Sequence, residues 1–324
     1  MRKGTVKENL SKTPNKKILC MIAAAASAVG LYKVLKKKQP ESKAIVVLGS
    51  GRSGTSVLTR CINVIGVDLG SNFIKPNRTN PKGFFENRRI VNIQKQVIKI
   101  LKNRPFPAGW QNWKKIKPLK KELTEVVREE FDGKKVWGWK DPRTNDLLPM
   151  WKEILDELNV EGHYLIAIRN PADVVASSKR AYNREENWAR LQWQIRTLMA
   201  LKESQGKSRI IVEYNELFQH THSCMRRVAE TFDLPWPDDE QAIKDELESF
   251  IDPKLQHSNS NTDIEEFAKR DDIPEDAKDL YLLCLKGARS QEYLESRAFD
   301  NRTNELYQAF LKDHGKLSSK PPKA

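Results

Sequence analysis

The chain has 324 residues, with 57 Lys and Arg against 43 Asp and Glu and a formal net charge of +14. That length suits one large α/β domain or two small ones, and 39% hydrophobic residues with 8 Trp and 11 Phe are enough for a sizeable core. The charge is uneven: residues 1–43 carry +9 and 316–324 carry +3, leaving about +2 for 44–315. A broad nucleic-acid footprint needs its basic residues on the folded domain, so this distribution argues against one. Cysteines at 20, 61, 224 and 284 form no Cys-x-x-Cys and share no spacing with paired histidines, which argues against zinc or a redox dithiol; no metal is expected. A pairing of Cys224 with Cys284 stays open.

In chain order, the first element is an apolar stretch of eighteen residues from 18 to 35, broken by Ser27, Tyr32 and Lys33 and flanked by Lys16-Lys17 and Lys36-Lys37-Lys38. It lies at the short end of the roughly 17–25 residues that span a bilayer. The reading adopted is a short signal anchor inside a basic tail, 1–43. A signal peptide cleaved after Ala24-x-Ala26 and a surface helix with a basic rim are the alternatives. An anchor implies attachment to a membrane and a lumenal domain, in a single-pass type II arrangement; a cytoplasmic location is the alternative.

Residues 44–48 are a β-branched run that predicts a buried strand. The strand empties into a loop with glycines at 49, 51 and 54, and a helix is predicted from 54 to about 65. Such a loop lets backbone N–H groups close on a phosphate, and the helix start adds partial positive charge. The spacing from Gly49 to Gly54 matches a Walker A loop, but Thr55 stands where the phosphate-binding lysine would be. The cation in the loop is Arg52. The loop therefore suits a phosphate ester better than the hydrolysis of a triphosphate.

Beyond an irregular stretch at 66–83, helical spacing predicts a helix over 88–102, a Pro- and Trp-rich loop over 104–118 and a helix over 119–131. A short strand at 136–139 ends in Lys140-Asp141-Pro142-Arg143, and a helix follows over 145–158. A strand at 164–168 runs into Arg169-Asn170-Pro171, with Pro171 in the first turn of the next helix. A helix over 187–204, a strand over 209–213 and a mostly helical remainder complete 44–315, and 316–324 reads as a flexible basic tail. Strands alternating with helices predict an α/β fold: a P-loop-containing, doubly wound parallel sheet flanked by helices, in one domain with a helical C-terminal part. Ligands of such sheets sit outside the carboxyl ends of the strands. Arg52, Lys140 and Arg169 all fall at that edge, which favours an anionic ligand over separate pairings of Lys140 with Asp141 and Arg169 with Asp173.

At these residues the chain resembles the PAPS-dependent sulfotransferases, in the branch with an Arg-Ser-Gly-Thr loop that includes carbohydrate and tyrosylprotein enzymes. The resemblance covers about 44–260. Gly51 and Arg52-Ser53-Gly54-Thr55-Ser56 are similar to the 5′-phosphosulfate loop. Arg169, with Ser177 eight residues on, is similar to the 3′-phosphate motif. Trp139-Lys140-Asp141-Pro142 is similar to a Lys-Asp-Pro segment of the tyrosylprotein branch, and Tyr214 to a tyrosine near the adenine. The resemblance implies PAPS as co-substrate without a metal, and a hydroxyl-bearing acceptor, a glycan first and protein tyrosine second. It also implies a Golgi enzyme.

In that scheme Arg52 and the loop amides hold the 5′-phosphate, Lys140 sits near the bridging oxygen, and Glu86 is the base, by analogy with a glutamate at a comparable point of the tyrosylprotein branch. Glu86 also has a plain reading as a carboxylate at a helix start, and Asp141 is the reserve base. Ser53 and Ser56 have the plain reading of helix caps; Ser177 that of a surface serine; Tyr214 that of core. Two rivals stand beside this reading: a kinase-like P-loop phosphotransferase, and an inactive membrane-associated nucleotide-binding protein.

Overall fold

Alternation along one strand sets the layers of the molecule. In β1 (Ser42–Leu48), Ala44, Val46 and Leu48 point to one side and Ile45 and Val47 to the other, all buried. A strand that is apolar on both faces needs a layer on each, which is the parallel-sheet condition. The computed structural model describes residues 40, 42–251 and 263–318. The chain divides into two units, Met1–Pro40 and Glu41–Ala324, and apart from Pro40 the described residues belong to the second. The candidate anchor at 18–35 lies outside the described residues. Among those described, no helix is long and apolar enough to cross a membrane.

The sheet has four parallel strands. β1 lies between β3 (Val136–Lys140) and β4 (Val160–Ile168), and β5 (Arg209–Glu213) pairs with the outer side of β4, giving the order β3-β1-β4-β5. The two-residue strand β2 (Asn103–Arg104) stands apart and pairs antiparallel with β6 (Leu317–Ser318), inside the stretch read from sequence as tail. On one face of the sheet pack α2 (Arg88–Leu101), α3 (Lys117–Phe131), α4 (Thr144–Glu157), α6 (Glu186–Glu203) and α11 (Glu275–Arg289). The other face takes α1 (Thr55–Val64), α8 (Thr221–Phe232) and α9 (Glu240–Phe250). Helix α5 (Pro171–Tyr182), short α7 (Tyr214–Gln219), the helical C-terminal part, α10 (Ile264–Ala268), α12 (Gln291–Glu295) and α13 (Arg297–His314), and a single 3₁₀ turn at Trp110–Asn112 complete the described elements.

Predicted and observed bounds differ by a few residues. α3 begins at Lys117 because Pro118, at the second helical position, fits a first turn. Phe131, Trp137, Trp139 and Trp151 stack in a column with centroid separations of 4.2, 5.7 and 4.1 Å, so Trp137 and Trp139 are core. Cys61, Cys224 and Cys284 are free and buried. Cys224 and Cys284 lie in the cores of opposite sheet faces, which excludes a bond between them.

Candidate active site

The strands deliver their last residues to one edge. Past Leu48 the chain turns through Gly49, whose φ is 132° and where a Cβ would lie 2.5 Å from the carbonyl oxygen of Ala167. Asn145, at the start of α4, fixes this turn from the side: its Oδ1 accepts from Gly49 N–H and its Nδ2 donates to Gly49 O, both at 2.9 Å. Arg52 and Gly54 then take positive φ, 74° and 84°, with Ser53 between them on the negative side. Alternating handedness of this kind turns successive amides toward one point and makes an anion nest. Gly54 cannot be replaced freely, because a Cβ would fall 2.8 Å from the Tyr214 ring.

Helix α1 opens without a side-chain cap and without an acid in its first turn. Ser53 and Ser56 therefore do not cap it. By contrast Asn87, Asn170, Glu185 and Glu213 cap α2, α5, α6 and α7 with their own side chains. The start of α1 keeps its amides turned toward the cleft, where the helix dipole favours negative charge.

Strand β4 ends at Ile168, and Arg169 turns over the loop. Its Nη1 donates to the carbonyl oxygen of Arg52 at 3.2 Å, its guanidinium lies 3.9 Å from the centroid of the Tyr214 ring, and its Nε is 3.9 Å from Asp173. Burial holds its pKa below the ordinary arginine value; Tyr214 and Asp173 oppose that shift, and nearby Arg52 adds to it. Pro171 and Asn170 start α5, and residues 173, 177 and 180 share one face of it at helical spacing. That spacing sets Ser177 beside the loop, where its Oγ accepts from Arg52 Nε at 2.9 Å. The Arg52 guanidinium thus reaches the second clamp and not its own loop, and its Nη1 also donates to Thr79 O at 3.1 Å.

Strand β3 delivers Lys140, which is 2% exposed. Its Nζ lies 2.7 Å from Glu86 Oε1 and donates to Ser56 Oγ at 3.1 Å. Neither alternative pairing from the sequence describes it: its carboxylate partner is Glu86. Asp141, the reserve base, is fully buried, accepting from Gln94 at 2.7 Å and from the guanidinium of Arg143 at 2.7 Å, so it serves the turn. Glu86 is 7% exposed and follows Phe85, whose φ of 53° is costly for an aromatic residue. Edge contacts of Phe85 with Phe73 and Phe250 hold that conformation. Burial pushes the Glu86 carboxyl up, Lys140 pulls it down, Asp141 adds to the rise and Arg143 opposes it; the net direction is up.

One cleft gathers these parts. Its wall includes Arg52, Gly54, Thr55, Ser56, Arg169, Ser177 and Tyr214, all expected from sequence. Gly51, Ser53, Glu86 and Lys140 are not in the wall. Lys140 stands behind it, joined to the wall through Ser56 Oγ, and Glu86 stands behind Lys140. Sequence reasoning missed Arg78, Lys82, Phe218, Phe250 and Asn80, which also line the wall. Phe218 had a legible signal, four residues after Tyr214, and its ring stands 4.5 Å from that of Tyr214. The basic turn at 75–82 was a weaker one. Arg180 is exposed and borders the cleft. Among the described residues the wall carries Arg52, Arg78, Lys82, Arg169 and Arg180 and no carboxylate.

No family model and no curated protein matches the sequence. Among solved structures, the chain is similar to a sulfotransferase domain from a Synechococcus olefin synthase (14% identity, TM-score 0.38, covering 84% of this chain and 97% of that one). It is likewise similar to a sulfotransferase domain from the curacin biosynthetic pathway (14% identity, TM-score 0.39, covering 83% and 97%). A third is a sulfotransferase from Mycobacterium avium (14% identity, TM-score 0.36, covering 87% and 79%). Any functional reading has to come from the residues of the cleft.

Proposed function

We propose that this protein transfers a sulfonate group from PAPS to an acceptor hydroxyl. The observation that carries the reading is the union, in one cleft lined by cations, of an uncapped glycine-loop helix start with a second clamp of Arg169 and Ser177. A 3′,5′-bisphosphorylated adenosine needs two separate anion grips and an aromatic slot. The amides at 54–56 take the 5′-phosphosulfate. Arg169, Ser177, Arg180 and the guanidinium of Arg52 take the 3′-phosphate. Tyr214, Phe218 and Phe250 flank the base.

The acceptor oxygen attacks sulfur in line while the bond from sulfur to the bridging oxygen breaks, and the electron pair leaves on the 5′-phosphate. Lys140, linked to the cleft through Ser56, offsets that charge, and Glu86 takes the hydroxyl proton. A carboxyl pushed upward by burial is a better base near neutral pH than an ordinary one. A glycan hydroxyl is the first acceptor class and a protein tyrosine the second. Attachment to a Golgi membrane through residues 18–35 completes the reading as a further proposal.

The test is transfer of labelled sulfonate from PAPS to a panel of glycans, tyrosine peptides and small alcohols, in EDTA. Label in one acceptor class supports the reading. Absence of transfer, together with phosphate transfer from ATP and Mg²⁺, moves the protein to the kinase-like class.

A further inference from the structure

The near neutrality of residues 44–315 hides a local excess. From 99 to 121 the chain carries eight Lys and Arg and no Asp or Glu. Arg104 is buried and paired with Asp146, and Lys120 is paired with Glu153. Lys99, Lys102, Lys114, Lys115, Lys117 and Lys121 are exposed and have no ion pair among the described residues. Trp113, 41% exposed, stands among them and is one of two large hydrophobic residues exposed to that degree among the described residues. Helices α2 and α3 run antiparallel, since Arg89 near the start of α2 bonds Glu129 near the end of α3. The end of α2 with Lys102 therefore meets the beginning of α3 with Lys117. α2 starts beside Glu86 and runs 14 residues away, so the patch stands about 20 Å from the cleft.

Fold stability does not call for this arrangement. Lysines at the start of α3 oppose its dipole, where acids would be favoured, and the first turn holds no acid. An exposed indole in the same patch gains nothing from water.

We infer that this face is a docking surface for an anionic lipid bilayer, which goes with the alternative, cytoplasmic location of the domain and not the lumenal one, since the cytoplasmic leaflet carries the anionic lipid. Six unpaired ammonium groups attract a negatively charged leaflet, and a tryptophan next to Lys114 in the chain is the side chain that settles at headgroup depth. The exposed cations are lysines without exception. Lysine acts as a point charge and lacks the planar fork with which arginine reads individual phosphates or sulfates, which favours a diffuse charged surface over a polyanion bound group by group.

The experiment uses the full chain with vesicles of 30% phosphatidylserine in phosphatidylcholine and with phosphatidylcholine alone. Hydrogen exchange of the amides at 112–121 is the readout, and the phosphatidylcholine vesicles control for insertion of residues 18–35, which does not need an anionic lipid. The expected result is protection by the phosphatidylserine vesicles alone, abolished in 0.5 M salt. The variant Lys114→Gln/Lys115→Gln/Lys117→Gln/Lys121→Gln keeps its thermal midpoint and loses the protection. At roughly fivefold per lysine, its serine-lipid-dependent partition falls on the order of a hundredfold or more. Trp113→Ala lowers partition further at constant charge. Protection that is absent, equal on both vesicles, or produced by heparin and not by vesicles overturns the inference. Sulfonate transfer in solution is unchanged by these variants, so failure here and failure of the transferase reading are distinguishable.

Discussion

Replacing Arg169 by alanine removes the second clamp's cation together with its brace on the glycine loop. The guanidinium is 6% exposed, braces the loop through the Arg52 carbonyl at 3.2 Å and lies 3.9 Å above Tyr214. Truncating one partner of a buried, hydrogen-bonded charge pair costs about 2–5 kcal/mol in binding, or roughly thirty- to several-thousand-fold in affinity. At a PAP concentration of 100 times Kd, ligand stabilises the parent protein by about 2.7 kcal/mol, an upward shift in melting temperature on the order of 5–10 °C. A site weakened about 300-fold is less than half occupied at that concentration, and the stabilisation falls to a few tenths of a kcal/mol. Thermal-shift titration in EDTA reads this directly. The free protein should change less, because the lost stacking on Tyr214 is offset by removal of a buried cation next to Arg52. A variant that retains more than half of the parent's shift refutes the role given to Arg169.

Glu86→Gln should leave PAP binding within about twofold and lower turnover by about 10²–10⁴-fold; near-normal turnover ends its assignment as the base. Because the carboxyl must be ionised to accept a proton and burial raises its pKa, kcat should fall as pH drops, with the acid limb above the ordinary carboxylate range. Loss of the limb in Glu86→Gln would tie it to this residue. Lys140→Met leaves Glu86 buried without its 2.7 Å partner. It should cost about 3–5 kcal/mol of stability by urea denaturation, and the double variant with Glu86→Gln should recover much of that loss; additive losses would show that the pair is not coupled. Gly54→Ala meets the Tyr214 ring at 2.8 Å from a backbone at φ 84°. A cost of about 1–3 kcal/mol and weakened PAP binding are expected, and an unperturbed protein would contradict the loop geometry.

The sheet was legible because each strand carries its own signal: 44–48 and 164–168 are apolar throughout, and each ends in a residue suited to the carboxyl edge. The eight-residue step from Arg169 to Ser177 was legible only through the family resemblance; in the structure Pro171 sets the helix start and so fixes which face Ser177 occupies. The direction of Arg52 was not. Its positive φ swings the side chain out of the loop toward α5, and a handedness of that kind belongs to the folded loop and not to the residue type. The Lys140–Glu86 pair joins residues 54 apart and depends on how 66–87 drapes over β3, an irregular stretch without periodicity. For the same reason Lys82 and Phe250, packed together at the rim, had no pattern to announce them.

In the proposed complex one sheet edge grips both phosphates of the same nucleotide. Calorimetric titration of PAP against 5′-AMP in EDTA isolates the second grip, because the two ligands differ by the 3′-phosphate alone. PAP should bind tightly without metal and 5′-AMP more weakly by about 10²-fold or more, with the difference collapsing in Arg169→Ala. Equal affinities for the two nucleotides, or a requirement for Mg²⁺, would contradict it.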